Sequence, residues 1–215
     1  MKNKKVIIIV AIVIVVAIVL VAIFSGKDKN EKSTNEIITV TSTQQEQQEE
    51  KKAEEVKMGE TVENDYIKMT LDKFEVETEY KFQYQEPMSI GGTYTRNNGI
   101  DGKSGMKLVC LRGNITNKTT KDIYTGNNFV KGEMIINGNT YKTTLKCFDT
   151  EHAESYLTVV AQQEVEYFLY AEVPENVANN IESCTINFGN VNNLDASKYV
   201  ADMNDLDYLY SLQVK

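Results

Sequence analysis

The residue best suited to chemistry in this chain is His152, the one imidazole among 215 residues. It stands in Asp149-Thr150-Glu151-His152-Ala153-Glu154, where flanking carboxylates would orient the ring as a base or join it as metal ligands. One His beside several acids reads as an exposed polar loop, because metal sites and nucleophilic triads need further groups that no spacing here supplies. Gly102-Lys103-Ser104 matches the end of a phosphate-binding loop, but the position of the required earlier Gly holds Asn97. Asp202, Asp205 and Asp207 lack the spacing of a calcium loop. Carboxylate pairs for glycoside hydrolysis have no aromatic-lined motif beside them, and Trp is absent. No cofactor or metal site is expected. Cys110, Cys147 and Cys184 allow one internal bridge with three pairings, or none.

Charge removes another class. With 23 Lys and Arg against 31 Asp and Glu, the net charge is -8. Residues 58–215 hold fourteen of the bases and twenty-three of the acids, so the acidity belongs to the folded part. Such a surface repels phosphates, and no nucleic-acid partner is expected.

The elements that must position these residues begin at the N-terminus. After Lys2, Lys4 and Lys5, nineteen residues from Val6 to Phe24 carry no polar side chain. As a helix this run is roughly 28 Å long, enough to cross the hydrocarbon core of a bilayer. Its exit, Ala22-Ile23-Phe24-Ser25-Gly26, lacks the small residues of a cleavage site, and no Cys lies near it for lipid attachment. Residues 1–24 are therefore expected to be a cytoplasmic tip and an uncleaved signal-anchor, with the bilayer as partner through residues 6–24. The Lys bias across the span places the C-terminal part outside, in single-pass topology. Residues 25–57 have no aromatic residue and one brief apolar patch, which predicts a disordered polar linker.

From Met58 onward the period changes to two. Ile67, Met69 and Leu71 alternate with polar residues, as do Val109, Leu111 and Ile115, then Val165, Tyr167, Leu169, Ala171 and Val173, then Cys184, Ile186 and Phe188. Such strands have one face on a core and one in water, and an all-β sandwich is expected over residues 58–194. Asn137-Gly138 marks a tight hairpin. The Gly-rich stretch Gly91 to Gly105 is expected to be irregular. Tyr199, Met203, Leu206 and Tyr210 recur at helical spacing, predicting a C-terminal helix within 195–215.

The passage Met106 to Tyr141 resembles an immunoglobulin-like extracytoplasmic domain of unknown function found in lipoproteins and membrane-anchored proteins of Gram-positive bacteria. The resemblance rests on Ile115-Thr116-Asn117-Lys118, Lys121-Asp122-Ile123, Phe129, Gly138 and Tyr141. It implies an antiparallel immunoglobulin-like sandwich, similar in fold to a secreted mycobacterial antigen, without catalytic residues. A Cys110–Cys184 bridge would then link an early and a late strand, as in antibody domains; three unbridged, buried thiols are the other reading.

The expected function is that of a membrane-anchored extracytoplasmic binding module without catalysis, facing a protein or cell-wall partner. Long loops on rigid sandwiches carry recognition, so Tyr94 and Arg96 in the Gly-rich stretch are the candidate contact residues. Two other classes stay open: a structural component of a surface or secretion assembly, and an envelope hydrolase using the abundant acids.

Overall fold

Two runs of apolar residues, Leu108-Val109-Cys110-Leu111 and Tyr167-Phe168-Leu169-Tyr170-Ala171, form the middle of the two longest strands. The computed structural model describes residues 51–125, 129–191 and 202–215, all within one compact unit, Glu49–Lys215. The expected membrane span and most of the expected linker lie outside the described residues.

In chain order the strands are β1 (Glu54–Val56), β2 (Thr61–Glu63), β3 (Ile67–Thr70), β4 (Lys73–Glu77), β5 (Tyr80–Pro87), β6 (Thr93–Ile100), β7 (Met106–Asn117) and β8 (Ile123–Tyr124). They continue with β9 (Lys131–Ile136), β10 (Asn139–Lys142), β11 (Thr144–Asp149), β12 (Glu154–Tyr156), β13 (Thr158–Val159), β14 (Glu164–Pro174), β15 (Cys184–Asn190) and β16 (Tyr208–Gln213). One short helix, α1 (Glu175–Ala178), follows β14.

Sheet one runs β1-β16-β15-β9-β10, and sheet two runs β12-β11-β14-β7-β3-β2 with β4 also on β7. The spine of sheet two is the antiparallel β7–β14 pair, in register from Met106↔Pro174 to Thr116↔Glu164. Between the sheets lies the main core. Val109, Leu111, Ile115, Leu169, Ala171 and Val173 meet Met134, Ile136, Ile186, Phe188 and Leu212 there. At Asn137 (φ 50) and Gly138 (φ 80) the β9–β10 turn has positive φ at both residues, as the sequence predicts.

Gly113 makes the central pairing work. β3 and β4 both pair with β7 but are separated by a kink at Leu71-Asp72, and a Cβ on Gly113 would stand 2.1 Å from the Thr70 carbonyl oxygen. The Tyr167 hydroxyl donates to that same carbonyl at 2.9 Å.

Four expectations need correction. Thr93–Ile100, expected to be irregular, is a strand paired residue for residue with β5, its neighbouring glycines serving the turn at Gly91-Gly92. Over residues 202–215 the expected C-terminal helix is replaced by a 3-10 turn at Met203–Asp205 and by β16; residues 195–201, Tyr199 among them, lie outside the described residues. The period-two burial of Tyr210 and Leu212 against sheet one prevails there over the helical spacing. The expected linker 25–57 ends too late, because Val56 is buried and β1 pairs in parallel with β16; the sandwich thus reaches beyond 58–194 at both ends. Finally, β7 and β14 are not half-exposed in their middles. The second face of sheet two carries Leu108, Cys110, Phe148 and Phe168, buried under a separate layer.

Candidate functional site

That layer is the β5–β6 hairpin, a two-stranded ribbon belonging to neither sheet. Its strands alternate: Lys81, Gln83 and Gln85 are exposed, whereas Tyr80 is buried and Phe82 and Tyr84 are half-buried. Tyr80 meets Phe168 edge-on at 4.9 Å, and Phe82 lies 5.1 Å from Phe148 and 5.6 Å from Phe168. Aromatic pairs in these tilted geometries stabilise beyond the area they bury.

The contacts step outward across the sheet. Phe168 is on β14, Phe148 on the neighbouring β11, and the next two partners sit at the sheet's edge: Tyr84 packs edge-on against His152 at 4.9 Å, and Arg96 pairs with Glu154 of β12. The hairpin thus crosses sheet two from its centre to its edge strand. Its turn lies beyond the last of these contacts, and Met88, Ile90 and Tyr94 are 43%, 91% and 59% exposed. Two backbone hydrogen bonds of 3.1 Å, Met88 N to Gly92 O and Gly91 N to Met88 O, close that turn.

Tyr94 and Arg96, the two candidate contact residues, serve different ends. Tyr94 is free at the tip, but Arg96 is bound within the molecule, to Glu86 at 2.5 Å and to Glu154. The Glu86 hydrogen bond leads in raising the guanidinium pKa and Glu154 adds to it, against a burial effect of opposite sign. Arg96 is therefore a brace. Deeper in, Arg112 lies over the Phe168 ring at 4.4 Å and reaches Glu75 at 2.9 Å and Glu166 at 3.5 Å. Burial opposes its charge, but the carboxylates outweigh that and hold its pKa above the ordinary value.

The groups first considered for chemistry have structural partners. His152 Nδ1 is 2.7 Å from Asp149 Oδ2, and the His152 backbone N–H donates to Asp149 Oδ1 at 2.9 Å. Burial works against the Asp149 charge, yet these bonds hold its pKa below the usual carboxylate value. Lys103 pairs with Glu172, and Asp202 and Asp205 cap the 3-10 turn. Among the described residues no three His, Cys, Asp or Glu side chains converge on a metal position. Cys110, Cys147 and Cys184 are free and buried. The candidate Cys110–Cys184 bridge is corrected by their placement: Cys110 lies under the hairpin, whereas Cys184 lies in the core between the sheets. Polar-lined cavities also lie among the described residues. One of about 160 Å³ is bounded by Asp72, Lys73, Arg112 and Glu166, and one of about 470 Å³ by Lys103, Lys142, Tyr170 and Glu172.

Sequence reasoning missed the hairpin's aromatic foot and its apolar tip. The signal was present as Tyr80, Phe82 and Tyr84 alternating with Lys81, Gln83 and Gln85.

The architecture defines a β-sandwich domain. A solved structure of similar fold is that of an uncharacterized β-sandwich protein from Clostridium difficile 630, 16% identical, with a TM-score of 0.53, covering 78% of this chain and 97% of that chain. At that identity the likeness establishes the fold. No protein-family model and no curated protein matches the chain.

Proposed function

We propose that this chain is a single-pass, membrane-anchored extracytoplasmic module with an immunoglobulin-like sandwich, which acts by binding rather than by catalysis. The apolar run Val6 to Phe24 behind three lysines supports the anchor, and the motif around Asn117 supports the immunoglobulin-like reading. The observation that carries the binding role is the β5–β6 hairpin. A ribbon of two eight-residue strands is held against sheet two by aromatic contacts and Arg96, yet contributes to neither sheet. Its outward row is uncharged beyond Lys81 and pre-ordered, with Gln83 donating to Asn97 at 2.9 Å and Gln85 to Thr95 at 2.8 Å. A rigid row of amides and hydroxyls offers donors and acceptors to a protein or wall polymer at little ordering cost.

Crosslinking from intact cells tests this reading. The full chain should capture a discrete protein or wall fragment, and the triple variant Gln83→Ala, Gln85→Ala, Asn97→Ala should lose it. Equal capture by both chains would refute the role of this face.

A further inference from the structure

We propose that the tip of the β5–β6 hairpin inserts into the surface of the bilayer that holds the chain. From Pro87 to Thr95 no residue is charged, and within this stretch Met88, Ile90 and Tyr94 are exposed. An Ile that is 91% exposed on a hydrogen-bonded turn is apolar surface held in water by the fold.

Size decides which partner suits it. A stable protein interface buries about 800 Å² on each side, far more than three side chains on one convex turn supply. A bilayer conforms to such a tip. Distance favours it as well: only 26 residues separate Phe24 from the first described residue, Lys51, so an anchor at residues 6–24 would tether the domain to its membrane by a short stretch of chain. The inference rests on that anchor reading. Charge agrees, because a fold of net negative charge is repelled overall by anionic headgroups, whereas this projection carries no charge of its own. Tyr94 sits on the strand just behind the turn, at headgroup level when Met88 and Ile90 are immersed.

Three apolar side chains bind a membrane weakly, as one short acyl chain does. Tethering compensates, since a linker of this kind sets a local concentration on the order of millimolar. Insertion would thus fix the orientation of a domain that is already confined to the surface, and the brace at Arg96 keeps the tip from folding back.

The chain contains no Trp, so Ile90→Trp and Tyr94→Trp each give a unique fluorophore. Full-length chains are reconstituted into phosphatidylcholine vesicles containing some phosphatidylglycerol, with or without brominated acyl chains. Both tip reporters should shift to the blue and be quenched by bromine, Ile90→Trp more strongly, while Lys81→Trp at the hairpin's base should stay unquenched. Adding Ile90→Asp to the Tyr94→Trp chain should abolish its quenching, which separates insertion by the native tip from the pull of the new indole. Unquenched tip reporters on chains that resist alkaline extraction would overturn the insertion and leave the anchor standing. Chains released by alkaline extraction would overturn the anchor and the insertion together.

Discussion

Asn117 ties the end of β7 to β13: its Nδ2 donates to the Val159 carbonyl at 3.0 Å from a fully buried side chain. The same group donates to Lys121 O at 2.8 Å, and Oδ1 accepts from the Thr119 N–H at 2.9 Å and the Thr119 hydroxyl at 2.8 Å. Every polar atom of the amide is used, which explains why an Asn stands where the apolar strand stops.

Asn117→Ala should cost about 2 kcal/mol, because it removes the buried bond to the Val159 carbonyl and takes the acceptor from the Thr119 N–H, while the Thr119 hydroxyl keeps its bond to the Lys121 carbonyl. Urea unfolding should show a lower midpoint at an unchanged m-value. A loss below about 0.5 kcal/mol would mean that water replaces the amide.

Gly113→Ala places a Cβ 2.1 Å from the Thr70 carbonyl oxygen, which also accepts from Tyr167. The crossing of β3 and β7 has no room to relax, so a loss of at least about 3 kcal/mol or failure to fold is expected. Gly59, with nothing within 4 Å of an added Cβ, is the control. Gly59→Ala bears only the strain of its positive φ and should be clearly milder, by thermal denaturation.

Alkali should unfold the domain through its thiols. Burial pushes Cys110 and Cys147 up to about 12 and Cys184 up to about 11, from an ordinary 9.0. In the unfolded chain these thiols ionise above pH 9, whereas the folded chain keeps them neutral, so the unfolded state gains and stability falls with rising pH. Each thiol contributes a slope of about 1.4 kcal/mol per pH unit between the two values. Denaturation midpoints from pH 8 to 9.5, below the range where Tyr80, Tyr167, Tyr170 and Tyr210, their hydroxyls raised by burial, add to the effect, should fall above 9, and Cys147→Ala should flatten the slope by about a third. A flat profile would show that the thiols reach solvent.

Arg96→Met should loosen the hairpin and spare the sandwich. Hydrogen exchange of the Tyr84 to Arg96 amides should accelerate roughly threefold, the scale of a partly exposed ion-pair network. Amides of β7 and β14 should keep their protection. Equal acceleration in both regions would show that hairpin and sandwich open as one unit.

The sandwich was legible wherever alternation was clean. Ile67, Met69, Ile115, Val165, Ile186 and Phe188 all point into the core, and Asn137-Gly138 turns as its residue types require. The hairpin was not, because its glycines read as disorder while Tyr80, Phe82 and Tyr84 spelled a strand whose partner lay across a turn. Phe148 and Phe168 gave a subtler hint: each adjoins a residue of the main core, so both faces of its strand needed cover. Arg96 was expected to face a partner, whereas its guanidinium is paired within the molecule. No pattern in a linear sequence reports that its counter-charges, Glu86 and Glu154, stand on two different layers. The C-terminal misreading arose from Met203, Leu206 and Tyr210, whose spacing suits a helix, although Tyr210 also alternates with Leu212 as a strand requires.

β1 enters the domain alongside β16 in the same direction, from Glu54↔Tyr210 to Val56↔Leu212. If the domain is held by its N-terminal side, as proposed, tension reaches it through this pair. A pull at Lys51 directed away from the sheet drags β1 lengthwise past β16, so the bonds between them resist together instead of unzipping one by one. Three paired residues carry that strain, Val56 alone among them buried in the core, and Lys51 adds a bond to the Leu206 carbonyl and a pair with Asp207. Against the eleven paired positions of the β7–β14 spine, this short joint is the part expected to yield first under such tension, lengthening the chain by a few residues.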